Sequence, residues 1–139
     1  MRFNRLVYTE SRPACGIDRS MTVDFELEEI TVDSSGGGVR WCRLGTHERS
    51  TVEEKLNASR PDEWAEDYVE PATDGVSWDL KLFRGRELVG SSGGRSGFPP
   101  REQWDAFRIL ADFCFAVTRR YGKYTPPQEC AGPVRVCFG

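Results

Sequence analysis

The side chains best suited to chemistry in this 139-residue sequence are five cysteines and a single histidine, His47. The cysteines are Cys15, Cys42, Cys114, Cys130 and Cys137. Their odd number and wide spacing are typical of reduced thiols rather than of a disulfide framework. No two of them form a Cys-x-x-Cys pair, so the pattern does not match a usual zinc site. We therefore expect no bound metal and no cofactor, and the alternative left open is a site that combines Cys42 and His47 with two distant cysteines.

A single histidine also limits the forms of nucleophilic catalysis. Both a Cys–His pair and a Ser–His–acid triad would need His47 beside one particular nucleophile. Carboxylates are plentiful, with 22 Asp and Glu residues, and no pair is marked out as a general acid and base. The sequence favours a protein that is not an enzyme, and an enzyme with an unrecognised site is one alternative.

Charge is distributed unevenly along the chain. Residues 53–79 contain nine acidic and two basic residues, whereas residues 80–123 contain nine basic and four acidic residues. The acidic side chains either form a solvated surface or attract a basic partner, because surface charge acts on association rate and partner choice. The candidate partner-binding residues are Glu63, Glu66, Asp67 and Glu70.

The glycine-rich loop at 93–100 supplies the second group of candidates, Arg95, Ser96 and Phe98. Backbone N–H groups before a helix can bind an anion, and nearby arginines would assist. Pro99 and Pro100 remove two of those donors, so the pattern favours a connector between a strand and a helix.

Residues 101–121 give the strongest helix signal in the sequence. Apolar residues recur there every three or four positions, and Gly122 is a suitable stop. The predicted buried residues of this helix are Trp104, Phe107, Leu110, Cys114 and Val117. Within 50–70, apolar spacing predicts one or two short helices, with a capping box at Ser50 and a break near Ser59–Arg60.

Alternating apolar residues predict strands at 2–9, 22–32, 39–44, 76–83 and 134–138, with a return strand after Gly85. The alternation slips near Glu28, which we interpret as a bulge. The segment at 34–38 is predicted to be a turn between strands, and 10–20 a loop. We predict one α+β domain over 1–139: an antiparallel sheet of four to six strands packed on helix 101–121, with the acidic 50–70 region at an edge or flank.

Length and composition restrict the class of protein. A chain of 139 residues fits one domain, and a pI of about 5.3 argues against a general nucleic-acid binder. No apolar run approaches the ~20 residues of a membrane-spanning helix, and the start of the chain lacks a secretory signal. We therefore expect no contact with membranes and a cytoplasmic location.

The segment from Gly75 to Tyr121 resembles a strand–hairpin–helix unit of small uncharacterised proteins from Gram-positive bacteria and their mobile elements. The shared features are a strand near Trp78, a tight Gly turn, Ser-Ser-Gly at 91–93, the Phe98-Pro99 step and a helix that begins near Trp104. The resemblance covers about a third of the chain and implies an α+β fold. It implies no activity, so no site residue follows from it.

From these features we expect a small protein-binding module without enzymatic activity. Its partner would be a protein, for instance a basic nucleic-acid-binding protein, and not nucleic acid itself. The main alternative is an acidic inhibitor of a nucleic-acid enzyme that mimics phosphate, as anti-defence and anti-CRISPR proteins of mobile elements do.

Overall fold

The computed structural model describes residues 2–12, 16–34, 37–70 and 75–125, which form two helices against one face of an eight-stranded sheet. The sheet order is β5-β7-β6-β1-β2-β3-β4-β8. The strands are β1 (Arg5–Arg12), β2 (Ile17–Asp24), β3 (Glu29–Ser34), β4 (Gly38–Arg43), β5 (Asp67–Val69), β6 (Ser77–Arg84), β7 (Glu87–Arg95) and β8 (Lys123–Thr125). The helices are α1 (Thr46–Ser59) and α2 (Arg101–Tyr121), and a 3-10 helix spans Pro61–Glu63. The fold class is α+β, as predicted.

The described residues contain more strands than the predicted four to six, because β5 and β8 were not predicted and the segment 22–32 is not one strand. Its apolar alternation continues through a hairpin turn between β2 and β3. The Asp24 carboxylate accepts the backbone N–H groups of Glu26 and Leu27, both at 2.9 Å. Glu28 then adopts a left-handed φ of 55°. The slip near Glu28 is therefore the end of a turn and not a bulge, and most of the predicted loop at 10–20 belongs to β1 and β2.

The sheet is mixed rather than fully antiparallel, because its edge strand β5 runs parallel to β7. The remaining pairs are antiparallel. Within the acidic 50–70 segment, β5 is the last strand on its side of the sheet, whereas the part in α1 packs against α2.

The prediction of one or two short helices in 50–70 is confirmed, since the segment contains the end of one α-helix and a 3-10 helix. Helix α1 begins at Thr46, so the predicted capping box at Ser50 lies inside the helix and is wrong. The predicted break is confirmed, since Arg60 adopts a left-handed φ of 46° and its N–H donates to the carbonyl of Leu56. The predicted strand at 134–138 lies outside the described residues.

Helix α2 has the predicted bounds and packs across the inner face of the sheet. Phe107, Leu110 and Cys114 are fully buried, as predicted. Trp104 and Val117, which were predicted to be largely buried, are partly buried and pack against the core. Trp104 lies under the exposed ring of Phe98, and Val117 lines a cleft beside α1, so each side chain has one open side.

The core lies between this inner face and the two helices. On β1, Leu6 pairs with Val23 and Leu82, and Tyr8 pairs with Met21 and Leu80. All six of these residues are at most 2% exposed. The alternation of β1 thus directs every second residue towards the helices. In the described ranges, neither helix is long and apolar enough to cross a membrane.

We predict that Phe107→Ala lowers the free energy of unfolding by about 3–5 kcal/mol, the range for loss of a buried Phe side chain. The ring of Phe107 lies 4.9 Å from that of Tyr8 and 5.3 Å from that of Trp64, so its removal leaves a cavity. Urea denaturation measures the change, and Ile109→Ala is the control because Ile109 is 53% exposed on the same helix. Equal stability of the two variants would contradict the assigned core.

Candidate partner-binding surface

The four candidate carboxylates are all exposed and lie at one edge of the sheet. Glu63 ends the 3-10 helix, Asp67 begins β5, and Glu66 and Glu70 flank that strand. Glu63 is 4.0 Å from Arg60 in a solvent-exposed ion pair. Within the described residues, the other three carboxylates form no ion pair. We call these four residues the acidic edge.

Backbone hydrogen bonds join the acidic edge to the glycine-rich loop, which the sequence presented as a separate candidate. The N–H of Gly93 donates to the carbonyl of Glu66 at 2.9 Å, and that of Glu70 donates to the carbonyl of Arg95 at 3.0 Å. The hydroxyl of Ser92 donates to the carbonyl of Ala65. The carboxylates are thus attached to a fixed backbone, not to a mobile tail.

The three loop candidates have different environments. Arg95 is the exposed last residue of β7. Ser96 is half-buried, has a φ of 58°, and donates its N–H to the carbonyl of Val76 at 3.0 Å. Phe98 is 40% exposed, and its ring lies 5.0 Å from that of Trp104. Of the three, Phe98 offers a large apolar surface to a partner.

Gly94 and Gly97 are required by close packing, Gly94 against the Trp78 indole and Gly97 against the backbone of Tyr68. The indole N–H of Trp78 donates to the carbonyl of Gly97 at 2.9 Å. A β-carbon at Gly94 would overlap the Trp78 indole, and one at Gly97 would lie 2.6 Å from the carbonyl oxygen of Tyr68. This packing agrees with the connector interpretation of the loop.

An aromatic cluster supports both the acidic edge and Phe98 from below. Trp64 contacts Trp78, Trp104 and Phe107 with ring centroids 5.3–5.9 Å apart. The indole N–H of Trp64 also lies within hydrogen-bond distance of the carbonyl of Ser59 and the side chain of Gln103. The surface therefore combines an exposed aromatic side chain that packs on Trp104 with carboxylates on the neighbouring sheet edge, and interfaces between proteins commonly combine aromatic and polar side chains.

The alternative site at Cys42 and His47 has less favourable chemistry. Both residues line a cleft between β4, α1 and α2. Burial raises the pKa of the Cys42 thiol, which lies 3.7 Å from the hydroxyl of Thr118. A protonated, 8% exposed thiol is a poor nucleophile and metal ligand. In the described part of the chain, no group of three or more His, Cys, Asp or Glu side chains is arranged to hold a metal ion.

A buried charged cluster centred on Glu10 was missed by the sequence reasoning. The Glu10 side chain is 1% exposed and accepts hydrogen bonds from Arg19 at 2.6 Å and Arg108 at 3.2 Å. Arg12 lies 3.8 Å away. Burial, followed by the charge of Glu10, raises the pKa of the neighbouring Tyr8 hydroxyl. The missed signal was the alternation Leu6, Tyr8, Glu10, which places Glu10 on the inner face once β1 extends to residue 12.

We predict that Glu10→Ala lowers the free energy of unfolding by about 1–3 kcal/mol, because it leaves the half-buried guanidinium groups of Arg19 and Arg108, whose side chains are each 26% exposed, without their carboxylate. Urea denaturation measures this change. Glu54→Ala is the control, since Glu54 is exposed on α1 and should alter stability by no more than about 0.5 kcal/mol. If the Glu10→Ala protein were as stable as the Glu54→Ala control, the charged cluster around Glu10 would not stabilise the fold.

No family model, curated protein or solved structure matches this chain.

Proposed function

We propose that this protein is a small, non-enzymatic module that binds another protein through the acidic edge and Phe98. The observation that carries the proposal is the exposure of four carboxylates at the β5 edge and of the Phe98 ring in the loop between β7 and α2. The proposal places the protein in the cytoplasm, with support from the odd number of widely spaced cysteines in the sequence.

The acidic edge contributes little to folding, which is why we assign it to binding. Solvent and salt screen exposed carboxylates, and surface ion pairs are worth at most about 1 kcal/mol. Like charges on neighbouring residues repel one another, so their proximity has a small cost. A basic partner would remove that repulsion and would be attracted over a distance of about a Debye length.

Phe98 supplies the apolar contact that charge alone does not provide. Interfaces usually depend on a few aromatic side chains at their centre, with polar residues at the rim. Because Phe98 rests on Trp104, its position is fixed before a partner arrives, which lowers the entropic cost of binding. We expect the partner to present an apolar pocket next to lysine or arginine side chains.

The chemistry of the partner is that of a basic protein, and nucleic-acid-binding proteins carry such surfaces. The acidic surface extends from the edge onto the outer face of the sheet. There, Asp67 on β5 and Asp79 on β6 lie on either side of Gly93 on β7. If the partner is a nuclease or another nucleic-acid enzyme, this row of charge would compete with its phosphate ligands, and the protein would act as an inhibitor.

We predict that the triple variant Glu63→Lys, Glu66→Lys, Asp67→Lys keeps its melting temperature but associates with its partner at least tenfold more slowly at low salt. The partner is first captured with wild-type protein from a lysate of the source organism and identified by mass spectrometry. Its association rate is then measured by biolayer interferometry at two salt concentrations. Added salt should slow the wild type more than the variant.

The matched control is Glu26→Lys, Glu54→Lys, Glu87→Lys, which changes the net charge equally at exposed positions away from the acidic edge. A second pair, Phe98→Ala and Ile109→Ala, compares two exposed apolar residues, and only Phe98→Ala should speed dissociation. The acidic edge is not the binding surface if, in low salt, both triple variants associate with the partner at the wild-type rate. The same conclusion follows if both variants associate more slowly than the wild type by the same factor.

A further inference from the structure

A second charged region, opposite in sign to the acidic edge, lies on the other half of the molecule. It is built around Glu10, a single carboxylate that three arginines approach within 4 Å: Arg12, Arg19 and Arg108. Asp112 lies 3.7 Å from Arg19 and supplies a second carboxylate. Among the described residues, these contacts bring three guanidinium groups to two carboxylates, in a chain whose net charge is −3.

Next to this cluster, a cleft of about 270 Å³ opens between the β2–β4 strands and the second half of α2. Besides Arg19, the cleft is lined by two further arginines, Arg40 and Arg119. Its lining residues are Arg19, Val32, Ser34, Gly37, Arg40, Phe115 and Arg119.

The sheet register explains why these arginines meet. Arg19 is the cross-strand partner of Ser34, and Arg40 is the cross-strand partner of Val32, so all four side chains point to the helix side of the sheet. Arg40 donates a hydrogen bond to the backbone carbonyl of Arg119 at 3.4 Å, which connects β4 to α2.

The guanidinium group of Arg19 has a fixed orientation at the floor of the cleft. It lies 4.1 Å from the centre of the Phe115 ring, and its Nε is engaged by Glu10. A guanidinium group carries five N–H donors in a planar fork, which matches the geometry of phosphate oxygens. The contacts with Glu10, Asp112 and Phe115 therefore fix the orientation of Arg19 before any ligand binds.

We propose that this cleft binds the phosphate group of a small phosphate ester of about the size of a nucleoside monophosphate. A dianionic phosphate suits several converging guanidinium groups better than a single carboxylate does. The hydroxyl of Ser34 offers another donor, while Val32 and Phe115 form an apolar wall for the esterified group. The volume lies just below the range of about 300–1,000 Å³ for small-molecule sites, which favours a compact ligand.

This site does not depend on the proposed function. The acidic edge is formed by the 3-10 helix and β5, whereas the cleft is formed by β2, β3, β4 and α2. The two surfaces share no residue, so each can fail experimentally without affecting the other.

Isothermal titration calorimetry of the full chain at constant ionic strength tests the proposal with adenosine monophosphate, inorganic phosphate and adenosine. We expect saturable binding of one adenosine monophosphate, weaker binding of inorganic phosphate, and at least tenfold weaker binding of adenosine. Arg40→Gln and Arg119→Gln should each weaken adenosine monophosphate binding at least tenfold. Arg86→Gln, an exposed arginine in the turn before β7, is the matched control and should leave it unchanged.

Thermal melts of each variant establish that it is folded, and amide chemical shifts of Val32, Ser34 and Gly37 should move on titration of the wild type. A short single-stranded oligonucleotide forms a further arm. If the oligonucleotide binds more tightly than the monophosphate, and if Arg40→Gln and Arg119→Gln each abolish its binding, the phosphate site is supported. The phosphate that it binds would then be that of a nucleic-acid backbone. The proposal is overturned if adenosine monophosphate shows no saturable binding, if adenosine binds equally well, or if both Arg variants bind like the control.

Discussion

The buried carboxylate of Glu10 is the interaction on which the arrangement of the whole structure depends. A charge removed from water must be paired with good geometry, and Glu10 on β1 finds its partners on β2 and on α2. Because Arg108 extends from α2 to this carboxylate, the helix cannot slide along the sheet without breaking the pair. Arg19 then lies over Phe115, which fixes the second half of α2 in the same way.

Both charged surfaces follow from that fixed helix. Towards the β5 edge, Trp104 and Phe107 of α2 hold the aromatic cluster that supports Phe98 and the acidic edge. Towards β4, Arg119 of α2 meets Arg40 and closes the arginine-lined cleft. The sheet separates the acidic from the basic surface by several strands, so a basic protein and a phosphate ester would bind at different ends of one rigid body.

The sequence predicted those features that repeat over many residues and left out those that depend on one contact. Helix α2 was predicted with its correct bounds because its apolar stripe runs over 21 residues. The β2–β3 turn was missed because it contains neither Gly nor Pro, and its signal is a single Asp24 cap. The four acidic residues were predicted as exposed, but their contact with the 93–98 loop depends on a three-residue parallel strand that has no periodic signal. Glu10 was missed because composition alone treats a glutamate as a surface residue.

The most direct test of the central claim is hydrogen–deuterium exchange of the full chain, alone and saturated with the partner captured by the wild-type protein. We predict slowed exchange at 66–70 and 93–98, because those backbone segments carry three of the carboxylates and Phe98. We predict no change at 37–43, which lies at the opposite side of the sheet. Slowed exchange confined to α1 or to β4, with 66–70 unchanged, would contradict the assignment of the acidic edge as the binding surface.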